Sequence, residues 1–271
     1  MAAEPGTKFQ ASDAPAAPTD ATASRRERAL QAIAENPTWY HSIELAPGVV
    51  TPGRVDMRAA AERVLPDDLS GRRALDIGTF DGFWAFEMER RGAEVVAIDV
   101  ERVDAAEWPP RNRARLLAEV DRHQLELGRG FRLAAGLLDS TVERRICSVY
   151  DLGPEAIGGG VDFVFMGALL LHLRDPVQAL ENVRASLRPG GELRSMEPFD
   201  LGLTARSPRA PAARFQPLET PFNWWLGNIA ILRDWPRAAG FGRPRLLRVL
   251  RPPSVQQMRQ PYAVHSCPRD P

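Results

Sequence analysis

The chain has 271 residues, 44% of them hydrophobic, enough for one substantial α/β core or a core with a small appendage. Its 35 basic and 35 acidic residues cancel to a formal net charge of zero, which argues against a large nucleic-acid footprint. Lys8 is the only lysine, Cys147 and Cys267 form no CxxC or Cys/His cluster, and no apolar run reaches the ~18 residues of a membrane span, so a Schiff-base lysine, a structural zinc, a disulfide framework and a transmembrane helix are all disfavoured.

Residues 1–24, rich in Ala, Pro, Asp and Thr, lack the apolar core of a signal peptide and read as a disordered tail on a cytoplasmic protein. Residues 25–35 have helical periodicity. Trp39, His41, Ile43 and Leu45 then alternate toward Pro47-Gly48 and Pro52-Gly53, which predicts an extended or hairpin element over 39–51. A short helix over 55–64 and a turn over 66–71 follow. Residues 25–70 therefore form an N-terminal extension or lid, and 71–271 the main domain.

In that domain, strands are predicted over 74–77, 94–98, 145–150, 161–166 and 192–196. Helices are predicted over 82–91, 111–127, 131–140 and 177–187, the last stopped by Pro189-Gly190-Gly191. Residues 199–221 read as a long Pro- and Arg-rich loop, 224–239 as a helix, and 245–249 and 261–265 as the last strands. The alternation predicts an α/β fold with a doubly wound, mostly parallel seven-stranded sheet of Rossmann-like type.

The run Leu75-Asp76-Ile77-Gly78-Thr79-Phe80-Asp81-Gly82 joins the first strand to its helix through a tight glycine turn. A dinucleotide fold places G-x-G-x-x-G here to admit a pyrophosphate. In this chain Phe80 crowds that position, and Asp76 opposes a diphosphate while suiting a cation such as an amino group. Asp99, ending the second strand, is placed to accept from both hydroxyls of a ribose. Asp151, after the third strand, either accepts from an adenine amino group or caps the Gly153-Pro154 turn. The set points to S-adenosylmethionine (SAM), with Asp76, Gly78, Thr79, Phe80, Gly82, Asp99, Val100, Tyr150, Asp151 and Gly167 as its binding residues and S-adenosylhomocysteine as product.

The ordered segments LDIGTFDG, AIDV, VYDL, GALLLHLRDP, LRPGG and RDWPRAAGF resemble the motifs of class I SAM-dependent methyltransferases over residues 72–249. Within them the chain is most similar to the tRNA wobble-uridine family (5-methoxyuridine and 5-oxyacetyluridine methyltransferases). That likeness rests on Trp39-Tyr-His-Ser-Ile-Glu-Leu, Thr51-Pro-Gly53, LDIGTFDGFWAFEMERRGA and the loop holding His172. The resemblance implies that Asp76, Gly78 and Phe80 lie along the methionine part, Asp99 on the ribose and Asp151 by the adenine, and that residues 39–45 lie over the cofactor. The tRNA enzymes use a carboxylated SAM held by basic and tyrosyl side chains. Here their Leu-Tyr-His loop reads Leu170-Leu171-His172, with one extra residue after Gly167, and the folded part has no lysine. Ordinary SAM is therefore expected.

Methyl transfer is an in-line displacement that needs alignment and, for a hydroxyl, a base. His172, just past the fourth strand, acts as that base, caps the Asp175-Pro176 turn or holds a loop; His41 either is a second catalytic candidate or packs with Trp39 and Tyr40. Trp39, Tyr40, Glu197, Trp224 and Trp225 are the candidate substrate residues: Glu197 either contacts substrate or closes a turn, and one of the paired tryptophans is core while the other walls a pocket; Arg206, Arg209 and Arg214 read as a solvated loop rather than a receiver of an acidic substrate. His123 reads as solvated and His265 as an edge-strand residue without a role; no metal ligand set is evident. The leading expectation is transfer to a small-molecule acceptor, at a hydroxyl oxygen. A tRNA acceptor is the runner-up, disfavoured by the neutral charge; a non-catalytic SAM-binding scaffold is the alternative of another class, and a nicotinamide oxidoreductase is opposed by Phe80. A homodimer stays open.

Overall fold

The computed structural model describes residues 20–220, 222–251 and 260–270. The extension comprises α1 (Asp20–Glu35), the two-stranded β1 (Glu44–Ala46) and β2 (Val49–Val50), and α2 (Arg58–Val64). Helix α1 thus begins inside the stretch assigned to the tail; residues 1–19 lie outside the described residues. The main domain runs β3 (Arg73–Ile77), α3 (Phe83–Glu89), β4 (Glu94–Asp99), α4 (Arg113–Arg122), α5 (Arg129–Leu138), β5 (Glu143–Ile146), β6 (Val161–Gly167), α6 (Pro176–Ser186) and β7 (Leu187–Pro198). It continues with α7 (Leu201–Arg206), β8 (Ala213–Phe215), β9 (Trp225–Gly227), α8 (Ile229–Ala238), β10 (Arg245–Leu250) and β11 (Tyr262–Pro268).

The seven-stranded sheet has the order β10-β11-β7-β6-β3-β4-β5. From β5 to β7 all pairs are parallel; β11 runs antiparallel to both β7 and β10. The chain starts in the middle at β3, builds outward through β4 and β5, then crosses to β6 on the other side. That reversal leaves a crevice outside the carboxyl ends of β3 and β6, where ligands of open α/β sheets bind.

Strand β6 shows why its sequence is almost continuously apolar. Phe163 and Phe165 enter the core layer shared with α3, α5 and the extension, while Val164 and Met166 enter the opposite layer with α6 and α8. A strand covered on both faces has no polar side to alternate with.

Four elements differ from expectation. Strand β5 lies at 143–146, upstream of 145–150, because it is an edge that tolerates Arg144 and Arg145; the apolar Val149 and Leu152 pack as loop residues into the second core layer. The helix over 111–127 stops at Arg122, before the left-handed Gln124 and Gly128. The loop over 199–221 contains α7 and β8, and β8 pairs with β9, so residues 225–227 are strand; the helix starts only at Ile229, where the Asn228 side chain caps the Ile231 amide. His265 is not at an edge: β11 is flanked by β7 and β10, and the residue is fully buried. Among the described residues no helix is long and apolar enough to cross a membrane.

Among the described residues neither ring nitrogen of His265 has a hydrogen-bond partner. Burial, helped by the charge of Arg233, pushes its pKa from 6.5 down to about 4. A group that must stay neutral to remain buried contributes fully above its unfolded pKa and loses that contribution as pH falls toward the folded one. We expect denaturant-unfolding stability to drop between neutral pH and about pH 4.5, and His265→Leu to flatten that part of the curve relative to wild type. An unchanged slope in the variant would count against the assignment.

Candidate functional site

The glycine turn is fastened from β4. Gly78 N–H and Thr79 N–H both donate to the Ile98 carbonyl, at 2.9 and 3.1 Å. The backbone then passes through left-handed conformations at Gly78 (φ +71°), Phe80 (φ +50°) and Gly82 (φ +91°). A Cβ on Gly82 would lie 2.5 Å from the Phe86 ring and 2.7 Å from Phe131, so glycine is required twice over. Phe80 has no such freedom, and Asp99 holds it there. Asp99 Oδ2 accepts from Phe80 N–H (2.9 Å) and Oδ1 from Val100 N–H (2.8 Å). Each carboxylate oxygen keeps acceptor capacity beyond these bonds.

Asp76 is 1% exposed, and among the described residues neither its Oδ2 nor the neighbouring Thr79 Oγ1 has a partner in full hydrogen-bond geometry, though Thr79 and the Ala85 amide favour its charged form. Burial pushes the Asp76 pKa up to about 7. Asp151 is exposed beyond β5, with no side-chain bond among the described residues. Tyr150 is half-buried and its hydroxyl accepts from Asp175 N–H (3.0 Å). Gly167 ends β6, with the Phe165 ring filling the space a Cβ would take. A buried acid beside the turn, a half-buried acid with spare lone pairs and an exposed acid in the loop after the next strand fit a ligand with a cationic amino-acid end, a ribose and an adenine.

Asp81, which sequence reasoning passed over, ties the extension to this turn. It is buried; its Oδ2 accepts from the amides of Tyr40 (2.8 Å) and His41 (2.7 Å), and its Oδ1 pairs with His41 Nδ1 at 2.5 Å. The His41 ring stacks on Phe83. Tyr40 lies edge-on to His41 and against Phe80, and burial pushes its pKa up to about 12. Trp39 is buried in the core, its Nε1 donating to the Ile33 carbonyl (3.5 Å). The only sequence signal for Asp81 was an acid in a turn where a phosphate has no use for one.

On the other side of the crevice, Glu197 ends β7. Its Oε1 accepts from Leu169 N–H (3.0 Å) and Leu170 N–H (3.2 Å), its Oε2 is buried without a partner, and burial pushes its pKa up to about 8. His172 follows in the same loop. Its Nδ1 lies 2.8 Å from the Phe222 carbonyl, which can only accept, so Nδ1 carries the proton. Burial lowers its pKa. The cap of helix α6 is Asp175, not His172.

The wall beyond is aromatic. Trp108, also missed from sequence, meets His172 and Phe222 edge-on at 6.0 and 5.9 Å. Trp224 is buried; its amide donates to the Leu171 carbonyl, its Nε1 to the Glu107 carbonyl (2.6 Å), and the Arg174 guanidinium lies 5.0 Å over its ring. Trp225 is half-buried against Phe215, with Nε1 donating to the Arg174 carbonyl. A cavity of about 660 Å³ opens along the same sheet edge, lined by Phe199, Asp200, Arg214, Gln216, Leu226 and Arg251 among others. Arg214 is held by Asp200 (3.4 Å) and Glu219 (2.9 Å); Arg206 and Arg209 are exposed. His123 is exposed beside Glu119. Among the described residues no group of three His, Cys, Asp or Glu is placed to hold a metal ion.

Residues 53–241 match a family model described as a methyltransferase domain, a match that begins within the extension. The tRNA U34 carboxymethyltransferase of Cellvibrio japonicus is 28% identical over 263 residues, covering 93% of this chain and 71% of that relative. The enzyme of the same name from Azotobacter vinelandii is 30% identical over 190 residues, covering 69% of this chain; the match spans 51% of that relative, about half its length. Among solved structures, Burkholderia thailandensis 1,6-didemethyltoxoflavin-N1-methyltransferase, with bound 1,6-didemethyltoxoflavin and S-adenosylhomocysteine, superposes with a TM-score of 0.55 at 18% identity over 96% of this chain and 94% of that one, a likeness of fold.

The Asp81 carboxylate makes a direct prediction. Asp81→Ala strands two amides and a buried imidazole, at a cost of about 3 kcal/mol or more, while Asp81→Asn keeps one acceptor and recovers part of it. Urea unfolding measures the loss, and limited proteolysis should find new cleavage over 38–57 in the alanine variant. Wild-type stability in Asp81→Ala would show that the extension is held by its apolar contacts alone.

Proposed function

The chain belongs to the methyltransferase-domain family, and on that premise we propose that it transfers the methyl group of SAM to a hydroxyl oxygen of a small-molecule acceptor. The observation that carries the reading is the unspent acid pair at the switch point: Asp76 Oδ2 without a partner and Asp99 with lone pairs to spare, on either side of a left-handed glycine turn. Asp76 and Thr79 would take the amino-acid end, Asp99 the ribose hydroxyls, and Tyr150 and Asp151 the adenine. Bound there, SAM supplies a methyl carbon on a sulfonium, a leaving group already activated.

The work left to the protein is alignment and exclusion of water. Tyr40 and Phe80 close the crevice from the extension side. Trp108, His172, Phe222 and Trp224 wall the acceptor side, and aromatic faces of this kind favour an apolar or ring-bearing acceptor. His172 spends Nδ1 on Phe222, which supports a loop-holding role; His41 spends Nδ1 on Asp81. Neutral net charge and exposed arginines paired with acids, such as Arg90, Arg122 and Arg188, support a small acceptor over a polyanion. A cytoplasmic location is part of this proposal.

The second reading is a tRNA acceptor, favoured by the tRNA U34 carboxymethyltransferase names of the two relatives. Leu171, where that family carries tyrosine, and the absence of lysine after Lys8 argue for unmodified SAM as donor. Gel-shift binding to bulk tRNA at physiological salt separates the two readings.

The first test is calorimetric. S-adenosylhomocysteine should bind wild type and bind Asp99→Asn at least about tenfold more weakly, because the amide keeps only one of the two oxygens offered to the turn and the ribose. NAD serves as the control ligand. Preferential binding of NAD, or no binding of S-adenosylhomocysteine, would overturn the proposal.

A further inference from the structure

Among the described residues, three buried groups around the crevice carry polar atoms without a partner in full hydrogen-bond geometry: Asp76 Oδ2, Thr79 Oγ1 and Glu197 Oε2. The first two belong to the glycine turn and so to the donor side. Glu197 does not. It ends β7, beyond β6, on the side of the sheet where the cap formed by α7, β8 and β9 begins.

The geometry of this carboxylate is tightly set. It is 1% exposed, and Oε1 is held by two consecutive amides, those of Leu169 and Leu170. Two amides on one oxygen fix the plane of the group and leave Oε2 pointing away with both lone pairs unused. The amides lie in the loop where Ala168 takes a left-handed conformation (φ +51°) and where the Leu169 side chain lies where it would touch a Cβ on Gly78, at 3.4 Å. Glu197 is therefore in the same loop assembly that borders the donor turn. The charged and titratable groups coupled to it are Tyr40 from the extension and Tyr262 from β11, both raised by burial and so protonated near neutrality. A buried acid with one oxygen braced and the other unspent is costly as pure structure.

We propose that Glu197 is the proton acceptor for the methyl acceptor, whose hydroxyl hydrogen-bonds to Oε2 before transfer. This rests on the SAM-dependent reading above. A lone pair of the acceptor oxygen forms the new O–C bond as the C–S bonding pair withdraws to sulfur. The hydroxyl proton passes to Oε2, leaving a methyl ether, S-adenosylhomocysteine and a neutral Glu197 carboxyl. Burial matches the acid to the task by bringing its pKa to about 8, close to the operating range of a general base. The competing base is His172, whose Nε2 keeps its lone pair while Nδ1 donates to Phe222; burial lowers its pKa and weakens it as a proton acceptor.

The test needs no knowledge of the acceptor. Sinefungin is the S-adenosylhomocysteine analogue with an amine-bearing carbon in place of sulfur, so it sets a cationic donor where the methyl is transferred. Calorimetry above about pH 8 compares the two ligands on the full-length protein. Wild type should prefer sinefungin by about tenfold or more, the worth of an ammonium–carboxylate attraction across the acceptor's place. Glu197→Gln keeps an oxygen for the Leu169 and Leu170 amides, so it should bind S-adenosylhomocysteine within about threefold of wild type and lose most of the sinefungin preference. A retained preference in the variant, or an equal loss of both ligands, would overturn the assignment and leave Glu197 as a loop brace. Absence of the preference in wild type overturns it whether or not the variant folds. Wild type binding neither ligand would instead defeat the methyltransferase reading on which the assignment stands.

Discussion

The turn between β3 and α3 is the constraint from which the rest of this site hangs. Its left-handed backbone at Gly78, Phe80 and Gly82 is unfavourable for a phenylalanine, and three contacts hold it in place. The Ile98 carbonyl takes two amides at its start, Asp99 takes the amide of Phe80, and the packing of Phe86 and Phe131 leaves room for nothing larger than hydrogen at Gly82. Because Asp99 is also the ribose acceptor of the proposed site, the bonds that stabilise the turn and those that read the ligand share one carboxylate. The same economy appears at Asp81, one residue further on, whose two oxygens fix both the backbone and the ring of the extension.

The crevice is lined by acids, and their environments divide them. Asp81 has spent both oxygens, and Asp99 is braced by amides while half-buried. Asp76 and Glu197 are buried with one oxygen unspent and pKa values pushed up to about 7 and about 8. Groups of one chemical type, separated by burial and bonding, are the usual sign of divided labour in an active site. Two acids near neutrality, rather than two permanent anions, also avoid the repulsion that a cluster of carboxylates would otherwise impose on the fold.

The parts legible in the sequence are those whose physics is local. A glycine turn between a strand and a helix, acids at successive strand ends and apolar strands buried on both faces all leave a signal within a few residues, and Asp76, Gly78, Asp99 and β6 fall where that signal puts them. Strand β5 escaped because an edge strand needs no apolar residues, while the apolar run that imitated it, ending at Tyr150, packs as loop. The cap over 199–227 escaped because the β8–β9 pairing joins residues across a Pro-rich interval with no alternation to mark it. Asp81 and Trp108 act through partners some 40 and 64 or more positions away, and nothing beside them in the chain announces those partners. His265 looked like an edge residue because nothing in its own segment shows that β10, earlier in the chain, covers its outer side.

That division by range separates the two halves of the proposed reaction. The donor side is assembled from strand ends that any chain with this topology must bring together. The acceptor side depends on two insertions meeting: the stretch after β4, which carries Glu107, Trp108 and Asn112, and the cap after β7. They are joined by Trp224 Nε1 to the Glu107 carbonyl, by Asn112 Nδ2 to the Pro217 carbonyl and by Trp108 against Phe222. None of these three contacts touches the glycine turn, although the loop that the cap also meets, through Trp224 N–H to the Leu171 carbonyl, borders that turn at Leu169. For the proposed reaction, the chemistry of the acceptor is read from the wall proposed for it, aromatic on the His172 side and acidic at Glu197, and not from the donor turn.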